Sequence, residues 1–275
     1  LGGLPEEKAK QLREKHRHVL EHLHNGVVDA CGEVNHYIVK QAQAVKYDSV
    51  FAALDVSGSD KILEIGCGWG GFAEHVLPGT KLNYTGITLS NEQLRYAKAR
   101  PALRGHSCCD LKYADYRDTA GSYDAIVSIE MIEAVGKEHW PQYFKVLHDH
   151  LRPGGNAVVQ SIVMTPDNFE RYSRKADFIQ RYIFPGGMLP TTDHLLHHAH
   201  KAGLTAEAVE MFPQDYARTL SIWRNSFEEN WPAIARLGFD NRFRRLWRYY
   251  LSYCEGAFAE EVVSVGIYRF SRPKS

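Results

Sequence analysis

A glycine-rich segment early in the chain carries residue types suited to holding a ligand. Residues 62–71 read Ile-Leu-Glu-Ile-Gly-Cys-Gly-Trp-Gly-Gly, so an apolar run with one acid, Glu64, leads into Gly66, Gly68 and Gly70. Because glycine has no Cβ atom, a ligand can approach the backbone of such a turn closely. The segment predicts a strand that runs into a ligand-binding turn, although glycine turns also close ordinary strand–helix connections.

The spacing of these glycines differs from that of a dinucleotide site. Such a site has Gly-x-Gly-x-x-Gly and an acid at the end of the next strand. Here the next strand ends in Thr-Leu-Ser-Asn-Glu-Gln (88–93), and the pair Asp115-Tyr116 follows a predicted third strand, 111–114. The pattern Glu-x-Gly-x-Gly-x-Gly is similar to the first motif of S-adenosylmethionine (SAM) methyltransferases, which bind no phosphate. This likeness implies that Asp115 lies near the amino group of the SAM adenine and Tyr116 against its face.

The cofactor-binding residues implied by this likeness lie at the ends of consecutive predicted strands. They are Glu64, Gly66, Gly68, Gly70, Thr88, Leu89, Ser90, Gln93, Asp115, Tyr116 and Ile129. The alternative is that these are turn residues only; four features in the expected order favour the cofactor site.

Strands and helices alternate around these residues. Apolar runs predict strands over 62–65, 83–87, 111–114, 123–129, 157–163, 204–211 and 262–270. Helical patterns cover 37–54, 91–100, 140–151 and most of 219–258, and another helix begins near residue 72. Ser90 is expected to cap the helix over 91–100. Alternation of buried-type strands with helices predicts an α/β, Rossmann-like fold of the class I methyltransferase type, with a mainly helical cap.

The chain reads as one catalytic domain with additions. Residues 1–40 form a charged, His-rich N-terminal segment, whose helical pattern over 6–24 fits a surface helix, a lid or a membrane-contacting helix. The methyltransferase domain is expected over 41–275. Cap segments are expected at about 165–200, where the strand–helix rhythm breaks, and at 213–258.

Composition excludes several classes of protein. The 33 basic and 33 acidic side chains balance, which argues against non-specific nucleic-acid binding. No apolar run approaches the roughly 20 residues that span a bilayer. The first residues lack the apolar core of a secretory signal and an initiator Met, which suggests a trimmed chain. Five cysteines without a Cys-x-x-Cys pair indicate a reducing, cytoplasmic compartment. His194, His197, His198 and His200 fit a surface helix, so no metal is expected.

Longer motifs resemble those of the cyclopropane fatty-acid synthases and related fatty-acid methyltransferases. Beside residues 63–71 they comprise Gly-Ile-Thr-Leu-Ser-Asn-Glu-Gln-Leu (86–94), Ser-Ile-Glu-Met-Ile-Glu-Ala-Val-Gly (128–136), 177–190, 215–223 and 237–250. The resemblance runs from about Gln41 to the C-terminus. Phe-Pro-Gly-Gly within 177–190 is the most specific block, and Glu-Ala-Val-Gly and the terminal Phe-Ser-Arg-Pro are closest to the plant-type branch.

The resemblance implies a catalytic site that holds bicarbonate as a weak base. Glu133 matches the family's carboxylate, Tyr216 the tyrosine that donates to the anion, and Ile162 a residue that contributes its backbone. Gln160 stands where many members have His, and Cys31 aligns with an anion contact. The structural alternatives are a helix-start acid for Glu133, a packing tyrosine for Tyr216 and a small buried thiol for Cys31.

The substrate expectation rests on apolar residues of the cap. Tyr182, Phe184 and Met188 are candidates for lining an acyl tunnel, with core packing as the alternative. Arginines interleave with aromatic residues over 242–249, which fits contact with anionic headgroups or a solvated helix face.

The function implied by the resemblance is transfer of a methyl-derived carbon from SAM to an unsaturated phospholipid acyl chain, which forms a cyclopropane. The enzyme would be cytoplasmic, peripheral at the membrane surface and able to form oligomers. Three alternatives stay open: methylation that leaves a branched alkene, N-methylation of a small amine, and SAM or lipid binding without catalysis.

Overall fold

Residues 33–274 are described by a computed structural model of the chain. The charged helix expected over 6–24 and Cys31 lie outside the described residues. The chain divides into two units, one built on a sheet and one built of helices.

The sheet unit comprises Gln43–Met164, Gly187–Met211 and Val265–Ser275. Its strands are β1 (Lys61–Ile65), β2 (Asn83–Thr88), β3 (Cys109–Tyr113), β4 (Tyr123–Ile129), β5 (Leu151–Met164), β6 (Thr205–Met211) and β7 (Val263–Ser271), the last of which begins just before the unit does. Within the described chain they form one seven-stranded sheet in the order β3-β2-β1-β4-β5-β7-β6. Strands β1 to β5 pair in parallel, and β6 pairs antiparallel with β7.

The helices, in chain order, are α1 (Glu33–Leu54), α2 (Gly71–Val76), α3 (Asn91–Ala99), α4 (Trp140–His150), α5 (Pro166–Arg174), α6 (Phe178–Tyr182), α7 (Thr192–Lys201), α8 (Pro213–Glu229), α9 (Trp231–Arg236) and α10 (Asn241–Ala259). Short 3₁₀ turns lie at Tyr116–Asp118, Ile132–Ala134 and Lys137–His139. The side chain of Ser90 caps α3 by accepting from the N–H of Gln93, which confirms the predicted cap.

The core of the sheet unit lies along its central strands. Ile62 and Leu63 of β1 and Ile126 and Val127 of β4 are fully buried. Strands of a parallel sheet are buried on both faces because helices cover them, which explains why these strands are apolar runs rather than alternating patterns. The order of the strands and their parallel pairing confirm the predicted Rossmann-like α/β fold.

The start of β5 differs from the prediction. The sequence Arg-Pro-Gly-Gly (152–155) was expected to separate helix and strand, but β5 already begins at Leu151. Its pairing with β4 shifts register between Tyr123 and Ala125. A Cβ atom on Gly155 would lie 2.6 Å from the carbonyl oxygen of Asp124, so a glycine allows the two backbones to approach there.

The helical unit comprises Thr165–Gly186 and Phe212–Ser264, with the described residues up to Ala42. In it α8 and α10 pack along each other: the rings of Phe227 and Phe243 lie 6.2 Å apart, and Arg224 binds Glu255 at 2.8 Å. No helix in residues 33–274 has both the length and the apolar character needed to cross a membrane.

Candidate active site

Hydrogen bonds to β2 fix the start of the glycine turn after β1, and the turn is uncrowded at Gly68. The N–H groups of Gly66 and Cys67 both donate to the carbonyl of Ile87, at 3.0 and 2.9 Å. Gly70 has φ +78°, and a Cβ atom there would lie 3.0 Å from the Cβ of Ala97 on α3. Gly68 has φ +51°, and around its Cβ position no described atom comes nearer than a carbonyl oxygen at 4.0 Å. A ligand can therefore reach the backbone at Gly68.

Glu64 lies inside the sheet rather than on the surface of the turn. It is 2% exposed, and the hydroxyl of Tyr84 on β2 donates to its Oε2 atom. Burial raises the pKa of Glu64 from 4.5 to about 8. Burial thus favours the neutral form of this carboxyl group, and its assignment as a cofactor ligand stays a prediction.

The predicted ligands that follow β2 form one connected loop. The hydroxyl of Thr88 donates to Gln93 Oε1 at 2.9 Å and accepts from the N–H of Ser90 at 3.2 Å. Leu89 projects outward and is 59% exposed. These contacts hold the Gln93 side chain near the end of β2, the edge at which ligands of α/β sheets bind.

Asp115 and Tyr116 follow β3, as predicted, and the side chain of each contacts a neighbouring side chain. Asp115 accepts from the backbone and side chain of Arg117, with its Oδ2 atom 2.6 Å from the guanidinium. This hydrogen bonding holds the pKa of Asp115 below its usual value. The ring of Tyr116 meets Tyr143 edge-on at 5.7 Å. Their roles against an adenine stay predictions.

Glu133 is the acid at the carboxyl end of β4. Its Oε1 atom accepts from the N–H of Ile162 at 2.6 Å and from the hydroxyl of Ser161 at 3.2 Å. Its Oε2 atom is closed off from solvent and has no hydrogen-bond partner among residues 33–274. Burial raises the pKa of Glu133 to about 8, the charge of Glu130 acts in the same direction, and the hydrogen bonds from Ile162 and Ser161 oppose it.

A second acid at this edge was missed by the sequence reasoning. Glu130 follows Ile129 directly and accepts from the fully buried amide of Gln160, with 2.9 Å between Gln160 Nε2 and Glu130 Oε1. Its own N–H donates to the carbonyl of Gln160 at 2.9 Å. The signal was present in the motif Ser-Ile-Glu-Met-Ile-Glu (128–133), which places two acids three positions apart.

The two acids adjoin the glycine turn through Met131. A Cβ atom on Gly66 would lie 3.0 Å from Met131 Cγ, so this side chain covers the turn. The carbonyl of Glu133 accepts from the N–H of Met188 at 2.8 Å. The sheet unit thus brings together Glu133, Gln160, Ile162 and Met188 beside the predicted cofactor loops.

The remaining predicted residues belong to the helical unit. Tyr216 is half-buried between Phe212 and Phe258, with ring centroids 5.8 and 5.3 Å away. Tyr182 and Phe184 are 49% and 46% exposed. Their roles, like that of Cys31 outside the described residues, stay predictions.

Two of the four histidines predicted to lie on a surface helix pack against Trp140, and the other two, His197 and His200, are exposed. His194 and His198 lie 5.2 and 6.0 Å from the ring of Trp140. Within the described part of the chain, no cluster of three or more His, Cys, Asp or Glu residues has the geometry to hold a metal.

The sequence pattern of the mycolic acid cyclopropane synthetase family matches residues 30–267. The chain belongs to this family. It is 37% identical over 227 residues to the tuberculostearic acid methyltransferase UfaA1 of Mycobacterium tuberculosis, an alignment that covers 82% of this chain and 53% of the relative. It is 32% identical over 239 residues to the cyclopropane-fatty-acyl-phospholipid synthase of Escherichia coli K12, covering 85% of this chain and 59% of the relative.

Solved structures of the family share the fold. The mycolic acid cyclopropane synthase CmaA1, complexed with SAH and CTAB, has a TM-score of 0.77 and 25% identity, with 84% of this chain and 85% of that chain covered. The cyclopropane synthase MmaA2 from Mycobacterium tuberculosis has a TM-score of 0.75 with the same coverage of each chain and 24% identity. The family suggested by the sequence motifs is therefore confirmed. The chain spans a little over half the length of the two curated relatives.

Proposed function

We propose that the protein is a SAM-dependent transferase that adds a methyl-derived carbon to the double bond of an unsaturated phospholipid acyl chain and forms a cyclopropane. Membership of the cyclopropane synthetase family supports this reaction class. The observation that carries the proposal is the Glu133 carboxyl, which is held at one oxygen and buried without a described partner at the other, beside the glycine turn. Buried acids with raised pKa values cluster at functional sites.

The glycine turn would hold the cofactor through its backbone. SAM, when bound, supplies the methyl carbon to the alkene, and loss of a proton from the added methyl closes the ring. The open approach at Gly68 suits a ligand that contacts main-chain atoms. The loop of Thr88, Ser90 and Gln93 offers hydroxyl and amide groups to ribose hydroxyls. Met131, which covers Gly66, would keep water from this edge.

The carboxyl group of Glu133 would donate a hydrogen bond to an anion at this site. Burial raises its pKa to about 8 and so favours the protonated form, in which the second oxygen can donate a hydrogen bond to an anion. This donor fits a small oxyanion and would hold bicarbonate. The Gln160 amide, which the resemblance assigns to the same site, donates to Glu130. Bicarbonate, when bound, would supply a weak base. The resemblance assigns the backbone of Ile162 to the anion, and the N–H of that residue donates to Glu133.

The helical unit would supply the contacts to lipid. Tyr182 and Phe184 expose large apolar side chains, as acyl contacts require. The role of Met188, which belongs to the sheet unit, rests on the family resemblance alone. On α10 the side chains of Arg242, Arg245 and Arg248 are exposed, and those of Phe243 and Trp247 are buried. The exposed guanidinium groups suit contact with anionic headgroups. The protein would bind peripherally at a membrane surface. The cap segments at about 165–200 and 213–258 would bind the acyl chain.

A second candidate is methylation without ring closure. The 37% identity to a relative named as a methyltransferase of tuberculostearic acid favours it. Both reactions begin with the same carbon–carbon bond and differ only in which proton is lost, so the side chains described above serve either one.

Product analysis tests the proposal. The protein is incubated with methyl-labelled SAM and vesicles of dioleoyl phosphatidylethanolamine and phosphatidylglycerol, and the acyl chains are examined by mass spectrometry and proton NMR. A gain of one CH₂ with loss of olefinic signals and new cyclopropane protons is expected. A gain with olefinic protons retained would select the methylation candidate. Transfer of label only to small amines, or SAM binding with no transfer to any substrate, would contradict both.

A further inference from the structure

Glu130 has a backbone conformation that its side chain does not favour. Its φ is +52°, in the left-handed region. Glycine adopts this region readily, asparagine and aspartate do so at times, and other residues are uncommon there. Such residues persist only when the surroundings hold them, and they cluster at functional sites. Here the position lies between Ile129, the last residue of β4, and Glu133.

Two hydrogen bonds join Glu130 to one residue of β5. The Glu130 N–H donates to the carbonyl of Gln160, and its carboxylate accepts from the Gln160 amide, both at 2.9 Å. Since only the NH₂ group of an amide can donate to a carboxylate, this contact fixes which way the Gln160 amide is turned. The next two residues, Ser161 and Ile162, donate to Glu133. Two acids of one loop therefore hold three consecutive residues of β5.

We propose that Glu130 is a positioning residue of the active site, which sets the orientation of the buried Gln160 amide and aligns the segment of β5 that holds Glu133. The inference rests on the proposed function for its consequence in catalysis, but the contacts themselves are present in the protein without ligand. A glycine at this position would relieve the backbone conformation, whereas the glutamate keeps it and makes a side-chain contact with Gln160.

Charge gives this arrangement a measurable consequence. Glu130 raises the pKa of Glu133, and its charge also acts on Lys46 and Tyr47 of α1. Burial lowers the pKa of Lys46, and attraction to Glu130 opposes that change. The charge of Glu133 also acts on Tyr143 of α4. Loss of the Glu130 charge should therefore lower the pKa of Glu133.

Two variants and one control distinguish the charge of Glu130 from its side-chain contact. Glu130→Gln keeps an acceptor for the Gln160 amide but removes the charge. Glu130→Gly removes the side chain and suits the positive φ. Glu138→Gln is the matched control, because Glu138 is an exposed acid in the following 3₁₀ turn, with a side chain that is 74% exposed. Two quantities are measured: the carbon-13 titration of the Glu133 carboxyl in unliganded protein, identified by its absence in Glu133→Gln, and the pH profile of labelled-methyl transfer to the vesicles.

The expected result differs for each variant. In Glu130→Gln the Glu133 titration and the corresponding limb of the pH profile move down by roughly half to one pH unit. In Glu130→Gly transfer falls by about tenfold or more while resistance to urea is unchanged or higher. The control matches the wild type in both measurements.

Two results would overturn the positioning role. One is a Glu133 titration in Glu130→Gln that coincides with the wild type. The other is wild-type transfer by Glu130→Gly. If the wild-type protein transfers no methyl group, the proposed function fails, while the carbon-13 titration in unliganded protein still decides the role of Glu130.

Discussion

Replacing Glu64 by glutamine should make the protein less sensitive to alkaline pH. Glu64 is 2% exposed, and burial raises its pKa from 4.5 to about 8. Between these two values the native state holds a proton that the unfolded chain has lost. The unfolded state then binds fewer protons, so the free energy of unfolding falls as pH rises through this window.

The size of the effect follows from the width of the window. One such proton lowers the free energy of unfolding by about 1.4 kcal/mol per pH unit, or about 4 kcal/mol between pH 5 and pH 8. Glu133 has a pKa raised to a similar value and adds a slope of the same sign. His194 and His198, whose pKa values burial lowers from 6.5, contribute a slope of the opposite sign in the acidic part of this range. Glu64→Gln should therefore reduce the fall in stability by about 1.4 kcal/mol per pH unit relative to the wild type. At pH 5 the amide still accepts from the hydroxyl of Tyr84, so the variant should lie within about 1 kcal/mol of the wild type there.

Urea unfolding at half-unit steps from pH 5 to pH 9 measures this slope. Glu138→Gln removes an acid whose side chain is 74% exposed and should keep the full wild-type slope. A Glu64→Gln variant with the same slope as the wild type would show that Glu64 ionises normally in the native protein, which would refute the reasoning from its burial.

Three further substitutions test the turn and the two units. Gly68→Ala should weaken SAM binding in calorimetry, because the added Cβ atom would stand where a ligand approaches the backbone. It should also lower the free energy of unfolding in urea by about 1–2 kcal/mol, because its φ is +51°. Unchanged affinity would place the cofactor elsewhere. Gly70→Ala should destabilise by about 1–3 kcal/mol more than Gly68→Ala, since its Cβ atom would lie 3.0 Å from Ala97; equal unfolding curves would contradict that packing. Trp247→Ala, at a position 6% exposed, should cost about 3–5 kcal/mol by urea unfolding; a loss below 1 kcal/mol would contradict its burial.

The strands around the glycine turn could be predicted because their sequence signal is local. Strand β4 has the predicted bounds, Tyr123–Ile129, since a buried parallel strand is a continuous apolar run. The cap at Ser90 was predicted from the same few residues that form it. The position of Glu133 at the end of β4 follows once the strand is known.

Features that depend on strand register could not be predicted. Glu130 meets Gln160 because Ile129 lies opposite Gln160 in the sheet, and the two contacts join residues thirty positions apart. The positive φ of Glu130 has no local sequence signal. The early start of β5 likewise depends on the approach of Gly155 to Asp124 of the neighbouring strand.

The most direct test of the account is a paired measurement on the wild type and Glu133→Gln, with SAM affinity by calorimetry and single-turnover transfer of labelled methyl to unsaturated vesicles. The account predicts SAM dissociation constants within about threefold of each other and transfer lowered at least about a hundredfold in the variant, as expected for a group that acts on a proton in the reaction. Glu133→Gln transferring methyl groups at the wild-type rate would contradict the central role of this carboxyl.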